Sequence, residues 1–142
     1  MKISDIMSCS VVSIEQHEPV SAAAKLLKQR NVGVLPVCDT QQRLRGIVTD
    51  RDIVTRCVAT EAAPKTTPVS EIMSRGILTI SPHEEVEVAV TMMGQEQVRR
   101  LPVLDDGRLV GMVTLCDMAR ESRCSMEAGA ALSEISSNFR RK

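Results

Sequence analysis

The chain carries an internal duplication that spans most of its 142 residues. Residues 35–52 read LPVCDTQQRLRGIVTDRD, and residues 101–117 read LPVLDDGRLVGMVTLCD. An offset of 66 residues also superposes Ile6-Met7-Ser8 on Ile72-Met73-Ser74, and it becomes 65 after one residue is lost in a turn. A repeat of this length predicts two copies of one supersecondary unit.

Each copy predicts the same order of elements. Apolar residues at helical spacing indicate helices, and short β-branched runs bounded by turn residues indicate strands. The predicted order in each half is a short strand, a helix, two strands and a second helix, which makes the fold class α/β. In the first half, residues 11–14 are predicted to form a brief strand or an extended segment, followed by a helix at 19–30 and strands at 34–38 and 44–49. In the second half, residues 77–80 are predicted to form a brief strand or an extended segment, followed by a helix at 84–96 and strands at 100–104 and 109–114. The second helices begin at Asp50 and Leu115.

The duplication also predicts the domain organisation. The first repeat covers residues 1–58, and the second covers residues 69–122. Residues 59–68 (ATEAAPKTTP) are small, polar and proline-containing, which is typical of a linker. Residues 123–142 form a C-terminal extension, predicted to be helical over 126–135 and to end in a basic tail.

Composition excludes several classes of function. The 18 basic and 18 acidic residues give a net charge of zero, so no overall field attracts nucleic acid or a membrane surface. The apolar runs are too short to span a membrane, and the N-terminus has no secretory h-region, so we expect a cytoplasmic protein. The only aromatic residue is Phe139, which leaves no platform for stacking bases. Nucleic-acid binding would depend on the basic tail and a few arginines.

The cysteines and histidines do not form a recognisable metal or disulfide pattern. The five cysteines are scattered without a C-x-x-C pair, and we expect them to be small buried side chains. His17 and His83 occupy equivalent positions before the first helix of each repeat. Neither has a second histidine or a cysteine nearby in sequence, so we expect turn or helix-cap roles and no metal site. No catalytic motif is present, and we expect no enzymatic activity.

A Gly-h-h-Thr-x-x-Asp segment, where h is apolar, ends the last strand of each repeat. Thr49 and Asp52 belong to the first copy, and Thr114 and Asp117 belong to the second. A threonine hydroxyl can donate to a phosphate or ribose oxygen, and an aspartate can accept hydrogen bonds from a ribose diol. Either residue is also an ordinary helix N-cap. The duplication favours a pair of equivalent ligand sites.

Arginines near these segments suggest that the ligand carries a negatively charged group. Arg99 and Arg100 precede the strand of the second repeat, where the first repeat has Gly33 and Val34. A guanidinium at the start of a buried strand is costly unless it meets an anion, although pairing with surface carboxylates remains an alternative. Arg51 lies in the first Thr-x-x-Asp segment and offers the same chemistry.

Together, the paired LPVxD and GhhTxxD segments, each preceded by an extended segment and an alanine-rich helix, resemble a tandem CBS-domain pair, or Bateman module. The resemblance covers roughly residues 1–122, and the first half is similar to stand-alone two-CBS proteins of the bacterial hypoxic-response and general-stress type. It implies two β-α-β-β-α repeats related by a pseudo-twofold, with adenosine nucleotides or S-adenosylmethionine bound in clefts between the repeats. It also implies a homodimer.

The resemblance further implies roles for individual residues. Asp52 and Asp117 would hold ribose, and Thr49 and Thr114 would contact ribose or phosphate. Arg100 would bind phosphate. The residues implied around the adenine are Val12, Val34 and Leu78. The first repeat departs from this pattern because Val34 stands where the second has Arg100 and because Asp50 adds a negative charge, so the Asp117 copy is the favoured site.

We therefore expect a regulatory module that takes an adenosine nucleotide as its ligand, requires no cofactor, and signals through an unidentified protein effector. Two alternatives remain open. They are a ligand-free dimeric scaffold and, with less support, a nucleic-acid-binding protein.

Overall fold

A computed structural model describes residues 1–121 and 129–136 of the chain. The first repeat contains strands β1 (Ile14–Glu15), β2 (Val34–Cys38) and β3 (Leu44–Thr49). They form one sheet in the order β1-β2-β3, in which β2 is parallel to β1 and antiparallel to β3. The short helix α1 lies at Ile3–Ile6. The helices of the first repeat are α2 (Val20–Arg30) and α3 (Asp50–Ile53), and α3 continues into a π-helical turn at Val54–Val58.

The second repeat has the same elements. They are α4 (Val86–Glu96), β4 (Arg100–Asp105), β5 (Arg108–Thr114) and α5 (Leu115–Arg120), and β4 pairs with β5. The first strand is reduced to a parallel bridge between Ile80 and Val103, the counterpart of the Ile14–Val37 pair in the first repeat. Of the stretches 11–14 and 77–80, which were predicted as brief strands or extended segments, only Ile14 and Ile80 pair with a neighbouring strand.

The helix predictions are confirmed to within two residues. Pro19 stands just before α2, where its fixed φ suits a helix entrance, and Asn31 ends the helix in the left-handed conformation at φ 53°. Gln97 ends α4 in the same way, at φ 60°. The buried faces of both helices carry the apolar residues that predicted them, namely Val20, Ala23 and Leu27 in α2 and Val86, Ala89, Val90 and Met93 in α4.

The compact units do not follow the order of the repeats in sequence. One unit contains Met1–Val11 together with Leu78–Asp106 and the described residues from Val110 onward, and the other contains Val12–Ile77 together with Gly107–Leu109. Helix α1 belongs to the core of the second repeat, where Ile3 is fully buried. In the other unit, Val69 is fully buried in the core of the first repeat. Each repeat is thus completed by a leading segment from elsewhere in the chain. Residues 1–11 are the leading segment of the second repeat, and residues 69–77 are that of the first.

Equivalent hydrogen bonds hold the two leading segments. Ile3 N donates to Glu84 O at 2.9 Å, and the residue 66 positions later, Val69, donates from its N to Glu18 O at 2.8 Å. Ser8 pairs with Met112 of β5, and Ser74 pairs with Ile47 of β3, each through two backbone hydrogen bonds of 2.8–3.0 Å. These pairs cover the outer edges of β3 and β5, which would otherwise expose unpaired backbone groups.

A glycine permits each of these close approaches. A Cβ on Gly46 would overlap the carbonyl oxygen of Ser74, and one on Gly111 would lie 2.9 Å from Ser8 O. The glycine of each Gly-h-h sequence is therefore required, because a larger residue would clash with the backbone of the leading segment.

The C-terminal extension contains helix α6 at residues 129–136. It packs on the core of the second repeat through Ala131 and Ile135, and Glu134 lies beside Gly94 of α4. The structure describes residues 129–135 of the range predicted as helical, and the basic tail lies outside the described residues. In the described part of the chain, no helix is both long and apolar enough to cross a membrane.

Candidate functional site

The two Thr-x-x-Asp segments fold into matching helix caps. In the first repeat, Thr49 Oγ1 accepts a hydrogen bond from Asp52 N at 3.0 Å, and Thr49 N donates to Asp52 Oδ2 at 3.0 Å. In the second, Thr114 Oγ1 accepts from Asp117 N at 3.0 Å, and Thr114 N donates to Asp117 Oδ2 at 2.9 Å. These reciprocal bonds form a capping box, so the N-cap role that the sequence allowed is what the structure shows.

The capping box leaves part of each pair available. Each threonine hydroxyl uses its oxygen as an acceptor and keeps its proton for another partner. Each aspartate commits Oδ2 to the backbone, while among the described residues Oδ1 has only a long contact to an arginine. The side chains of Asp52 and Asp117 are 12% and 19% exposed, so they are fixed in position but not sealed from solvent. Each segment therefore presents one hydroxyl donor next to one carboxylate acceptor.

The arginines that contact these aspartates were not identified from the sequence. Arg56 Nε lies 3.8 Å from Asp52 Oδ1, and Arg120 Nη1 lies 3.4 Å from Asp117 Oδ1. Their spacings of i,i+4 and i,i+3 place each pair on one helical face, and that signal was available in the sequence. Arg56 Nη1 also donates to Ile72 O at 3.1 Å, which links the Asp52 cap to the leading segment of its unit.

The structure brings together some of the predicted residues of the first repeat. Val34 lies directly opposite Thr49 in the β2–β3 register, and it is half-buried. Val12 is also half-buried and packs against the core of the same unit. Arg51 is exposed and, within the residues described, has no ion-pair partner.

In the second repeat the predicted arginines are solvent-exposed. Arg100 is the first residue of β4, and Arg99 precedes it; the strand is buried only from Leu101 onward. Neither arginine pairs with a carboxylate among the described residues, so the alternative of surface ion pairs is not supported there. Arg99 O accepts a hydrogen bond from Leu115 N at 2.8 Å, which ties this stretch to the start of α5. Leu78 is 38% exposed.

The two repeats differ in charge at equivalent positions. In the first repeat Asp50 N donates to Gly33 O at 3.1 Å, the counterpart of the bond between Leu115 and Arg99. A Cβ on Gly33 would lie 3.6 Å from Asp50 Oδ2. A carboxylate therefore stands beside the strand entrance of the first repeat, whereas the second repeat has Leu115 and two arginines. The two strand entrances therefore differ in charge.

The histidines and cysteines take structural positions. His17 N donates to Glu15 Oε2 at 2.9 Å and His83 N donates to Ser81 Oγ at 3.2 Å, so both lie in turns, as predicted. Cys38 and Cys57 are buried, and burial raises the pKa of the Cys38 thiol. The expectation of burial is wrong for the exposed Cys9 and Cys116, and Cys124 lies outside the described residues. No group of three or more potential metal ligands occurs in the described ranges.

A known protein family matches each copy of the duplication separately. The family model of the CBS domain matches residues 3–59 and 69–123. The chain is 40% identical over 134 residues to the CBS domain-containing protein YhcV of Bacillus subtilis, covering 94% of each chain. It is 37% identical over 116 residues to Hypoxic response protein 1 of Mycobacterium tuberculosis, covering 82% of this chain and 81% of the relative.

Solved structures show the same architecture. A crystal structure of Hypoxic Response Protein I with two coordinated zinc ions has a TM-score of 0.78 at 36% identity, covering 85% of this chain and 98% of that one. The CBS domain pair of protein MJ0100, in complex with 5′-methylthioadenosine and S-adenosyl-L-methionine, gives 0.72 at 30% identity, with coverage of 84% and 94%. CBSX2 in complex with AMP gives 0.73 at 26% identity, with coverage of 84% and 93%. The chain therefore belongs to the CBS-domain family and contains two CBS repeats.

Proposed function

We propose that the chain is a regulatory module that binds an adenosine-containing ligand at its Thr-x-x-Asp segments. The observation that carries the proposal is the hydroxyl proton of Thr114, which no described residue accepts, beside the long contact of Asp117 Oδ1 with Arg120. A ribose diol offers two hydroxyl groups, each able to donate and accept. A fixed donor next to a fixed acceptor matches that chemistry without reorganisation of the backbone.

The second repeat is the proposed principal site for a ligand with a phosphate. Arg100 is exposed at the entrance of β4, and no described carboxylate neutralises it. A guanidinium binds phosphate through two parallel hydrogen bonds. At the equivalent position the first repeat has Val34, and the carboxylate of Asp50 lies beside the preceding residue, Gly33. The Asp52 segment is therefore better suited to a ligand without phosphate.

The ligands of the related structures support an adenosine class. Of the three structures compared, MJ0100 is described with 5′-methylthioadenosine and S-adenosyl-L-methionine, and CBSX2 with AMP. The proposed output is a change of conformation or of protein partner rather than catalysis. A ligand produces such an output only through its differential affinity for two states of the protein.

Asparagine in place of Asp117 is expected to weaken ligand binding about tenfold. The amide oxygen can still accept from Thr114 N and so keep the helix cap, while the ribose loses a charged acceptor, which is worth roughly 1.5–3 kcal/mol. Titration calorimetry with AMP, ADP, ATP and S-adenosylmethionine measures the effect. D105N, which removes an exposed carboxylate at the end of β4, is the matched control. If none of the four ligands binds, or if D117N and D105N bind equally well, the proposal fails.

Glutamine in place of Arg100 separates the phosphate from the nucleoside. We expect R100Q to weaken AMP binding while leaving adenosine binding unchanged, because only AMP carries the group that the guanidinium contacts. The same comparison for D52N reports whether the first repeat takes a ligand.

We further propose that the chain forms a homodimer through the π-helical turn that follows α3. Val54 and Val58 are 58% and 60% exposed, and a spacing of four residues places both on one face. Adjacent exposed apolar side chains mark interaction surfaces. A dimer would also offer a protein effector a surface that a monomer lacks.

Aspartate at position 58 is expected to dissociate that dimer, because a charge buried in an apolar interface has no partner there. Size-exclusion chromatography with light scattering measures the mass of wild type, V58D and V32D. Val32 is also exposed, at 43%, and serves as the control. A V58D protein that keeps the mass of a wild-type dimer, or a monomeric wild type, would contradict the assignment.

A further inference from the structure

Two arginines at equivalent positions of the duplication face each other in the folded chain. Arg43 precedes β3, Arg108 is the first residue of β5, and the two form an isolated antiparallel bridge. The backbone N–H of the residue after each arginine donates to the carbonyl of the residue before the other, at 3.4 and 3.1 Å. This pattern makes the arginines a non-hydrogen-bonded pair, in which opposing Cα atoms are closest, at about 4.5 Å.

The Arg43 guanidinium lies over the turn that carries Arg108. Its Nη1 is 2.8 Å from the position that a Cβ on Gly107 would take, and Gly107 adopts φ +78°. A side chain at position 107 would be strained at this φ and would displace the guanidinium. The Arg43 guanidinium therefore lies against the residue that precedes Arg108, and the bridge places the two arginines directly opposite each other.

The pair has no counter-charge among the described residues. No described carboxylate lies within ion-pair distance of either guanidinium. Asp105 and Asp106 precede Gly107 in the same turn and are exposed, but neither forms such a pair. Like charges directly opposite each other on neighbouring strands are destabilising. The guanidinium groups of Arg43 and Arg108 therefore repel each other, and a bound anion would reduce that repulsion.

The carboxylate in the turn before Arg43 is already committed. Asp39 Oδ2 accepts from Arg45 Nη2 at 2.8 Å and from Arg45 Nε at 3.1 Å, and Oδ1 accepts from Gln41 N and Arg43 N. Desolvation acts to raise the pKa of Asp39, but these hydrogen bonds together hold that pKa below its usual value. The carboxylate is therefore ionised at neutral pH and is satisfied by Arg45 and the backbone.

We propose that Arg43 and Arg108 form a binding site for a phosphate-class oxyanion, separate from the Thr-x-x-Asp segments. Guanidinium groups bind tetrahedral oxyanions bidentately, and two facing groups can share one anion. The site uses neither Arg99 nor Arg100, so it does not depend on nucleotide binding. The same chemistry is offered by free inorganic phosphates and by the phosphates of a nucleotide, and the test distinguishes these two sources.

Inorganic pyrophosphate is the first probe, and the melting temperature is measured at constant ionic strength against chloride. We expect pyrophosphate to raise the melting temperature of wild type, R30Q and R100Q. It should not raise that of R43Q or R108Q, in which the apparent affinity for pyrophosphate is lowered about tenfold. R30Q is the matched control because Arg30 is exposed at the end of α2 and has no described ion-pair partner. AMP is the second probe. If AMP raises the melting temperature of R100Q, and the rise is lost when Arg108 is also replaced, the phosphate of a nucleotide is the source.

Three results would overturn the proposal. They are no pyrophosphate shift in wild type, a shift of equal size in R108Q, and a shift lost only in R100Q, which would place the anion at the nucleotide site. The repulsion gives a further check. In low-salt buffer without oxyanions, R108Q should melt above wild type, and the difference should vanish at high salt because exposed charges are screened. A lower melting temperature for R108Q in low salt would remove the basis of the site.

Discussion

Replacement of Gly46 by alanine is expected to lower the free energy of unfolding by about 3 kcal/mol. The added Cβ would overlap the backbone oxygen of Ser74, and it would also lie 3.1 Å from Met73 Sδ. A side chain could move aside, but the Ser74 backbone is held to Ile47 by two hydrogen bonds of 2.8 and 3.0 Å. Overpacking of this kind costs typically 1–3 kcal/mol, and separation of the bridge adds to it.

The other glycines provide a graded comparison. Gly111→Ala should cost less, because its nearest neighbour is Met7 Sδ at 2.7 Å, a flexible side chain, and Ser8 O lies at 2.9 Å. Gly33→Ala should change stability by less than about 0.5 kcal/mol, since its Cβ would meet only the Asp50 carboxylate at ordinary contact distance. Urea unfolding of the three variants gives the order. A G46A protein as stable as G33A would show that the leading segment does not pack tightly against β3.

Truncation of Ile3 to alanine is expected to destabilise the protein by roughly 3 kcal/mol, even though the residue lies close to the N-terminus. Ile3 is fully buried against Val86, Leu101 and the rest of the second-repeat core. Removal of a buried isoleucine side chain costs about 2–5 kcal/mol through lost transfer energy and the cavity left behind. Residues near a terminus are ordinarily tolerant of change, so a large effect here is diagnostic of the packing.

The repeat supplies matched controls for this truncation. Val69 is the counterpart of Ile3 and is also fully buried, so Val69→Ala should cost about 2 kcal/mol. Val88 is 40% exposed on α4, and Val88→Ala removes the same atoms at a cost below about 0.5 kcal/mol. Thermal unfolding of the variants measures all three. If I3A and V69A are no less stable than V88A, the leading segments do not belong to the two cores.

The leading segments also bear on the candidate site. Ser74 pairs with Ile47, two residues before Thr49, and Ser8 pairs with Met112, two residues before Thr114. Each segment therefore fixes the end of the strand that carries a Thr-x-x-Asp cap. A variant that loosens a leading segment should weaken ligand binding at the corresponding cap, even though the segment holds none of the proposed contact residues.

Local sequence was sufficient for the regular elements. The helices α2 and α4 begin and end within two residues of their predicted bounds because capping residues and apolar spacing act over a single turn. For residues 11–14 and 77–80 the sequence left open a brief strand or an extended segment, because β-branched composition reports a preference for extended backbone. It does not report whether a partner strand is present.

The candidate site was predictable in part. The Thr-x-x-Asp pattern marked the helix caps, and the structure forms both of them. The contact of Arg56 with Asp52 follows from its helical spacing and was within reach of the sequence. The exposure of Arg100 and the absence of a described carboxylate partner were not, because both depend on residues that are distant in the chain.

The residue patterns alone were enough to predict a tandem repeat of one α/β unit with a Thr-x-x-Asp segment at the end of each last strand. These features depend on residues within about one element of each other, so they are written locally. The folded structure was needed to show that Ile3 fills the core of the second repeat, that Val69 fills the core of the first, and that Arg43 opposes Arg108. These contacts join elements that are separated in the chain. For Ile3 and Val69, burial of apolar surface selects the partners by shape, and no periodic signal in the sequence reports that choice.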